Sequence, residues 1–271
     1  MFEPRLALSS LSGASDAQWA SAGAEYAGAA FLGGIAICRE TREAARGLLR
    51  RGREEFLPVD PLRFMETQLQ LLDGVDIRPG VNLRTVDTDR LRSAAELCAA
   101  SNAIVEVNAH CRQAEMCQVG AGETLLADTE RLAHYVGVAA ESGADVSVKV
   151  RTEVDGVDLV ETAAAIERAG ASIIHVDAMD SEPVIADISG HTTLFVIANN
   201  GVRDRASVEE YLSFGADAVS VGRPSDQTSV LARVHRAVQA SDVLRRESVT
   251  SPPPERRRQR QIENDRTVIN D

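Results

Sequence analysis

The chain has 271 residues, a formal net charge of -12 and 44% hydrophobic residues, which suits one large domain with a real core. No apolar run approaches the length of a membrane span, and MFEPRLALSS lacks the basic-then-apolar start of a signal peptide, so the reading is a cytosolic protein without a membrane partner. The acidic excess repels phosphate and excludes generic nucleic-acid binding; any RNA contact would need a local basic patch.

In chain order, RLALSS reads as a strand and SDAQWASAGAEY as a helix, followed by the strand AGAAFLGG. Residues 40–73 are helical with a polar face and read as an insertion after strand 2, over about 38–74. PGVNLR is the next strand, and TDRLRSAAELCAAS a helix with Thr88 as its N-cap. AIVEVNAH is a strand followed by a helix over 123–142, and ADVSVKVR a strand followed by a helix over 157–169. SIIHVDAM is a strand with a short helix near 182–188, TLFVIANN a strand with a helix over 205–214, and ADAVSVGR a strand with a helix over 226–240. Eight strand–helix units with short connections predict an α/β fold, a single (β/α)8 TIM barrel over residues 1–242. The remaining 243–271, with three consecutive prolines and mixed charges, reads as a disordered tail.

Strand parity then assigns faces, because successive side chains point to opposite sides. In VSVKV the valines face the helices, while Ser147, Lys149 and Arg151 face the axis; Glu106 and Asn108 do so on strand 4, and His175 and Asp177 on strand 6. Burying such groups is costly unless they pair or meet a polar ligand. One reading is a self-satisfied network, for instance Glu106 with Lys149. The other is a site, because most of these residues lie at strand C-terminal ends, where barrel enzymes place their chemistry. Lys149 is the one lysine among 29 basic residues. A compact ammonium serves where a planar guanidinium would not fit, for example beside the negatively charged edge of a reduced flavin.

Gly201 follows strand 7 and Gly222-Arg223 follows strand 8, where barrels commonly bind phosphate. Phosphate alone leaves open a flavin phosphate or a phosphorylated sugar. Cys38, Cys98, Cys111 and Cys117 form no CxxC pair and have no histidine cluster at zinc spacing, so no metal is expected.

LALSSLSGASDAQWA, IVEVNAHCRQAEMCQVGAGETLL, VSVKVRTEV and IANNGVRDRAS…VSVGRP together resemble the tRNA dihydrouridine synthases, in an archaeal-type form, over about residues 5–235. Dihydroorotate dehydrogenases share the barrel and its phosphate loops. The resemblance implies bound FMN, reduced by NADPH or NADH, and transfer of hydride to C6 of a uracil ring. It implies Cys111 as the proton donor to C5 and Asn108 as the residue that holds the base. Lys149 matches the flavin-edge lysine, Asn82 stands for a glutamine at the flavin ring, and Leu11 stands where a methionine is common. Asp177 replaces a histidine near the flavin, with His175 close by at the same parity. Asn200, Gly201, Gly222 and Arg223 match the phosphate loops. His110 and Arg112 depart from the family around Cys111, and a cation there would lower the thiol pKa. The family's helical tRNA-gripping domain is not expected here, since PPPERRRQRQ is only a small basic segment. tRNA is therefore weighed against a free pyrimidine, as in a dihydroorotate dehydrogenase-like enzyme. A flavin-free phosphate-binding barrel enzyme and a non-catalytic flavin-binding or RNA-associated accessory protein remain as further readings.

Overall fold

Every strand pairs in parallel with the next, and the last pairs back with the first, closing the sheet. The computed structural model describes residues 1–250, with the side chains of residues 1–242. The strands are β1 (Leu6–Leu8), β2 (Ala29–Ala36), β3 (Arg78–Arg84), β4 (Ile104–Asn108), β5 (Val146–Arg151), β6 (Ile173–Asp177), β7 (Phe195–Asn199) and β8 (Ala218–Val221). The helices are α1 (Ala17–Gly23), α2 (Arg39–Arg50), α3 (Pro61–Gln70), α4 (Thr88–Ala100), α5 (Ala114–Gln118), α6 (Glu123–Leu126), α7 (Thr129–Ala140), α8 (Leu159–Arg168), α9 (Val184–His191), α10 (Arg205–Ser213) and α11 (Thr228–Thr250). A 3-10 turn, Arg223–Asp226, follows β8. This is the (β/α)8 barrel that the alternation predicted.

Aspartates set many of the helix starts. Asp16, Asp60, Asp87, Asp128, Asp158 and Asp204 each accept from backbone N–H groups of the following first turn, where a negative charge also meets the positive end of the helix. Two sequence expectations are corrected by these caps. Thr88 is the first helical residue, and the cap is Asp87, which accepts from Asp89 and Arg90 at 2.9 and 3.0 Å. The continuous helix expected over 123–142 is broken, because Asp128 starts a new helix after the single turn of α6. At the C-terminus α11 continues to Thr250, past the expected boundary at 242; the rest of the expected tail, 251–271, lies outside the described residues.

The outward valines of β4 and β5 are fully buried against the helix layer, as parity required. Inside the barrel, the lower layer is apolar: Phe31, Ile104, Ile173 and Ile197 pack with alanines from β1, β2 and β8. Gly80 on β3 makes room there, since a Cβ would sit 2.7 Å from the Phe31 ring. The ring of Phe31 in turn lies 5.2 Å from that of His175, centroid to centroid, which marks where the apolar layer meets the polar one.

The helical stretch after β2 divides in two. Met65 and Leu69 of α3 join the main core. Ala44, Ala45 and Leu48 of α2 instead pack with Met116 and Ala121 around Cys111. Among the described residues, no helix is long and apolar enough to cross a membrane.

Candidate active site

A chain of hydrogen bonds circles the interior above the apolar layer. Asn199 Nδ2 donates to Ser220 Oγ at 2.8 Å, and Ser220 meets His175 Nε2 at 2.8 Å. His175 Nδ1 lies 2.8 Å from Glu106 Oε2, which also accepts from Ser147 at 3.0 Å. Asn82 Nδ2 donates to Glu106 Oε1 at 2.7 Å, and Asn82 Oδ1 accepts from Asn108 Nδ2 at 2.7 Å. Asn108 Oδ1 then accepts the backbone N–H groups of His110 (3.2 Å) and Cys111 (3.0 Å). The two amides have no freedom to flip, since each orientation is set by the next partner. Six of the eight strands thus lock the loop that carries Cys111.

The carboxylate of Glu106 is fully buried. Burial alone would raise its pKa, but the His175 contact, the nearby Lys149 charge and the Asn82 bond more than reverse that, and it stays ionised. His175 moves the other way: burial and Lys149 keep it neutral against the pull of Glu106. Its Nδ1 therefore donates to Glu106, and its Nε2 accepts from Ser220. The expected pairing of Glu106 with Lys149 exists as a field rather than a bond, since Lys149 Nζ donates to Ser9 Oγ.

Above this ring opens a cavity of about 880 Å³ at the C-terminal ends of the strands, within the usual size for a bound cofactor or substrate. Lys149 Nζ rises into its floor and is 3% exposed as a residue. Burial lowers the Lys149 pKa, while Glu106 and Asp177 raise it. Asn108, Cys111, Asp177, Asn200, Gly201, Gly222 and Arg223 line the same space, so eight of the ten predicted site residues come together. Asn82 and His175 do not line it. They point to the axis as parity required, but their side chains are spent one layer down, in the hydrogen-bonded ring.

The loop after β4 bends sharply to aim the Cys111 thiol at the cavity. Its carbonyl accepts the Glu123 N–H at 3.0 Å. Gly122, at φ 63°, lies so close that any Cβ would overlap the Cys111 carbonyl oxygen, so only glycine fits. Cys111 is buried among Ala36, Ala44 and Met116 on its other side. All four cysteines are free thiols, and burial pushes Cys98 up to about 12, far from reactivity.

His110 does not stand beside the thiol as a fixed cation. Its Nε2 is 2.6 Å from Asp177 Oδ2, and Asn200 Nδ2 donates to Asp177 Oδ1 at 2.8 Å. Burial lowers the His110 pKa and outweighs the Asp177 bond that raises it. Asp177 lies well below the usual carboxylate range: burial pushes it up, but the His110 bond and charge, the Asn200 N–H and Lys149 more than reverse this.

Several lining residues had no counterpart in the sequence reading. Arg84 shares the parity of Asn82, a usable signal; its guanidinium bonds Glu55 at 2.5 Å and the Ser12 hydroxyl, tying the β1–α1 loop to the segment between α2 and α3. Arg53 and Glu54 arrive from that irregular segment, where no periodicity marks them. Ser220 faces inward between two outward valines of β8. At the mouth, Arg53, Arg112, Arg203 and Arg223 are exposed on four different loops. The carboxylates that line the cavity are Glu54 and Asp177. A chain of net charge -12 thus carries a cationic rim around this cavity. Among the described residues, no cluster of three His, Cys, Asp or Glu side chains could hold a metal ion.

The donor set suits a flavin mononucleotide. Gly201, at φ 68°, and Gly222 each would aim a Cβ into open space, so both leave the backbone accessible to a phosphate, with Arg223 beside them. Lys149 supplies a fixed charge deeper in the same cavity.

The family model for dihydrouridine synthase matches residues 78–252. An uncharacterized protein of Methanocaldococcus jannaschii is 26% identical over 204 residues, 71% of this chain and 78% of that protein. Among solved structures, a FabK mutant of Thermotoga maritima superposes with a TM-score of 0.56 at 16% identity, over 83% of this chain and 63% of its own. A tryptophan synthase complex of Pyrococcus furiosus superposes with a TM-score of 0.57 at 15% identity, covering 88% of this chain and 98% of that one. The chain spans less than two thirds of the FabK chain, and at these identities the structural likenesses speak to the barrel alone.

Proposed function

Because the chain belongs to the dihydrouridine synthase family, we propose that it is an FMN-dependent oxidoreductase that reduces the C5–C6 bond of a uracil base in tRNA. The observation that carries this reading is the convergence of Lys149, Cys111 and the Gly201 and Gly222-Arg223 loops on one cavity. Bound FMN would supply the hydride that goes to C6 of the ring, with NADPH or NADH as its reductant.

The protein's own residues would do the rest. Gly201, Asn200, Gly222 and Arg223 hold the phosphate, and Lys149 stabilises negative charge on the flavin edge. Asn108 has given its carbonyl oxygen and one N–H to the loop and the ring, which leaves one N–H for a carbonyl of the base. Cys111 gives its Sγ proton to C5; a thiol is a modest acid that tolerates a partly apolar pocket. Asn82 and His175 act from beneath, by fixing Asn108 and the charge around Lys149. The four arginines at the mouth supply the basic patch that an acidic protein needs in order to meet a polyphosphate chain.

The test has three arms. Purified protein reconstituted with FMN should be yellow, with the cofactor identified by mass spectrometry, and Lys149→Ala should bind it more weakly. Deleting the chromosomal copy should lower dihydrouridine in cellular tRNA. Cys111→Ala should slow uridine reduction by about two to four orders of magnitude while flavin binding persists. Colourless protein after reconstitution would end the flavin reading. Unchanged tRNA dihydrouridine together with turnover of a free pyrimidine would move the substrate to the small molecule.

A further inference from the structure

The His110–Asp177 pair sits at the cavity wall, and Cys111 is the next residue after His110. Three observations give the pair a direction. Asp177 is ionised and can only accept, so His110 Nε2 must carry the proton in their 2.6 Å contact. Asn200 holds the second oxygen of Asp177 at 2.8 Å, which prevents the carboxylate from turning away. Among the described residues, His110 Nδ1 has no partner, and His110 lines the cavity with 30% of its side chain exposed. The imidazole is thus fixed in one tautomer with its basic nitrogen open. One acceptor, Asn108 Oδ1, takes the N–H groups of both His110 and Cys111, so the two residues are held as one rigid unit.

We propose that His110, oriented by Asp177, returns a proton to the Cys111 thiolate between turnovers. This rests on the reading that Cys111 is the proton donor. In that reaction the Cys111 Sγ–H bond breaks as the proton goes to carbon, leaving a thiolate. The Nδ1–H bond of the His110 imidazolium then breaks and a new Sγ–H bond forms. The neutral imidazole takes its next proton from solvent through the open cavity. No electrons change hands in the step. Burial that disfavours the imidazolium makes it a stronger acid toward the thiolate, and the thiolate's own charge favours its formation at the right moment.

The charged and titratable groups that face His110 are Asp177 and His175 on β6, Lys149 and Arg151 on β5, and Arg112 and Cys111 on its own loop. Arg151 is tied to Glu123 of α6 at 3.0 Å. Of these groups only the two imidazoles have an ordinary pKa near neutrality, so a step in that range belongs to His110 or to His175. His175 has both nitrogens engaged in the buried ring and no exposure.

The test measures the pH dependence of Cys111 alkylation by iodoacetamide, read by peptide mass spectrometry, in a Cys117→Ser background. The profile should have two inflections, one from the thiol and a lower one from the imidazole. His110→Gln should abolish the lower inflection. Asp177→Asn should move it to lower pH, since it removes the charge that favours the imidazolium. In turnover, His110→Ala should slow reduction at least tenfold, and added imidazole should restore a good part of the rate. If the His110→Gln profile superimposes on the unsubstituted one, or if imidazole leaves His110→Ala unchanged, the proposal is wrong. If Cys111→Ala retains full activity, the proton-donor reading fails instead, and that result comes from a separate variant.

Discussion

The lower and upper halves of the barrel interior are built by opposite rules from the same strands. Below, Phe31, Ile104, Ile173 and Ile197 fill the axis by shape. Above, Asn82, Glu106, Ser147, His175 and Ser220 fill it by hydrogen bonds that leave each member one arrangement. The lower half can absorb a change of shape at the cost of packing. The upper half cannot lose one partner without orphaning the next, because a buried polar group left without a bond carries its full desolvation cost. That difference separates the part that holds the barrel closed from the part that aims Cys111 and Lys149.

The largest effects come from striking each half directly. Phe31→Ala should cost roughly 3–5 kcal/mol by chemical denaturation, through lost transfer energy and a cavity. Glu106→Ala should cost a similar roughly 3–5 kcal/mol, because Lys149 loses a buried counter-charge and the neutral His175, Asn82 and Ser147 lose their acceptor. The two should part in the remedy. Glu106→Leu combined with Lys149→Met should recover much of the stability and none of the activity, whereas no polar change should rescue Phe31→Ala. Equal recovery in both halves would erase the distinction.

Gly122→Ala comes next, at about 1–3 kcal/mol. It should disturb the upper half only, seen as slower activity with little loss of FMN binding. A pH titration sharpens the comparison further. Asp177 has a depressed folded-state pKa, so it contributes stability that is present above the ordinary carboxylate value and is lost as pH falls through the folded one. The melting-temperature gap between the unsubstituted protein and Asp177→Asn should therefore hold from neutral pH down to about pH 4 and shrink below it. A gap that grows on acidification would reverse the sign. Asp87→Ala, which touches neither the apolar layer nor the polar ring, should cost only about 1 kcal/mol through the lost cap of α4.

Much of this arrangement could be read from residue order. The alternating valines of β4 and β5 announced which face was outside, and hence that Glu106, Asn108 and Lys149 pointed to one axis. What parity cannot supply is height along the axis. His175 and Lys149 share a face and are register partners on adjacent strands, yet one joins the buried ring and the other reaches the cavity floor. The cap of α4 is open in the sequence for a related reason: Asp87 and Thr88 are both good cap residues, and only the path of the chain into α4 chooses between them. Arg53 and Glu54 carried no pattern, because the segment between α2 and α3 is irregular and its place at the mouth follows from the Arg84–Glu55 and Arg84–Ser12 contacts.

Residue order alone determined the eightfold alternation, the inward polar faces and the isolation of a single lysine, because those depend on spacing along one strand at a time. Folding decided which inward groups satisfy each other and which remain open to a ligand, as well as the partnership of His110 with Asp177. Those outcomes depend on the distance between side chains 21 to 69 residues apart in the chain, and the closed sheet is what brings them within a hydrogen bond.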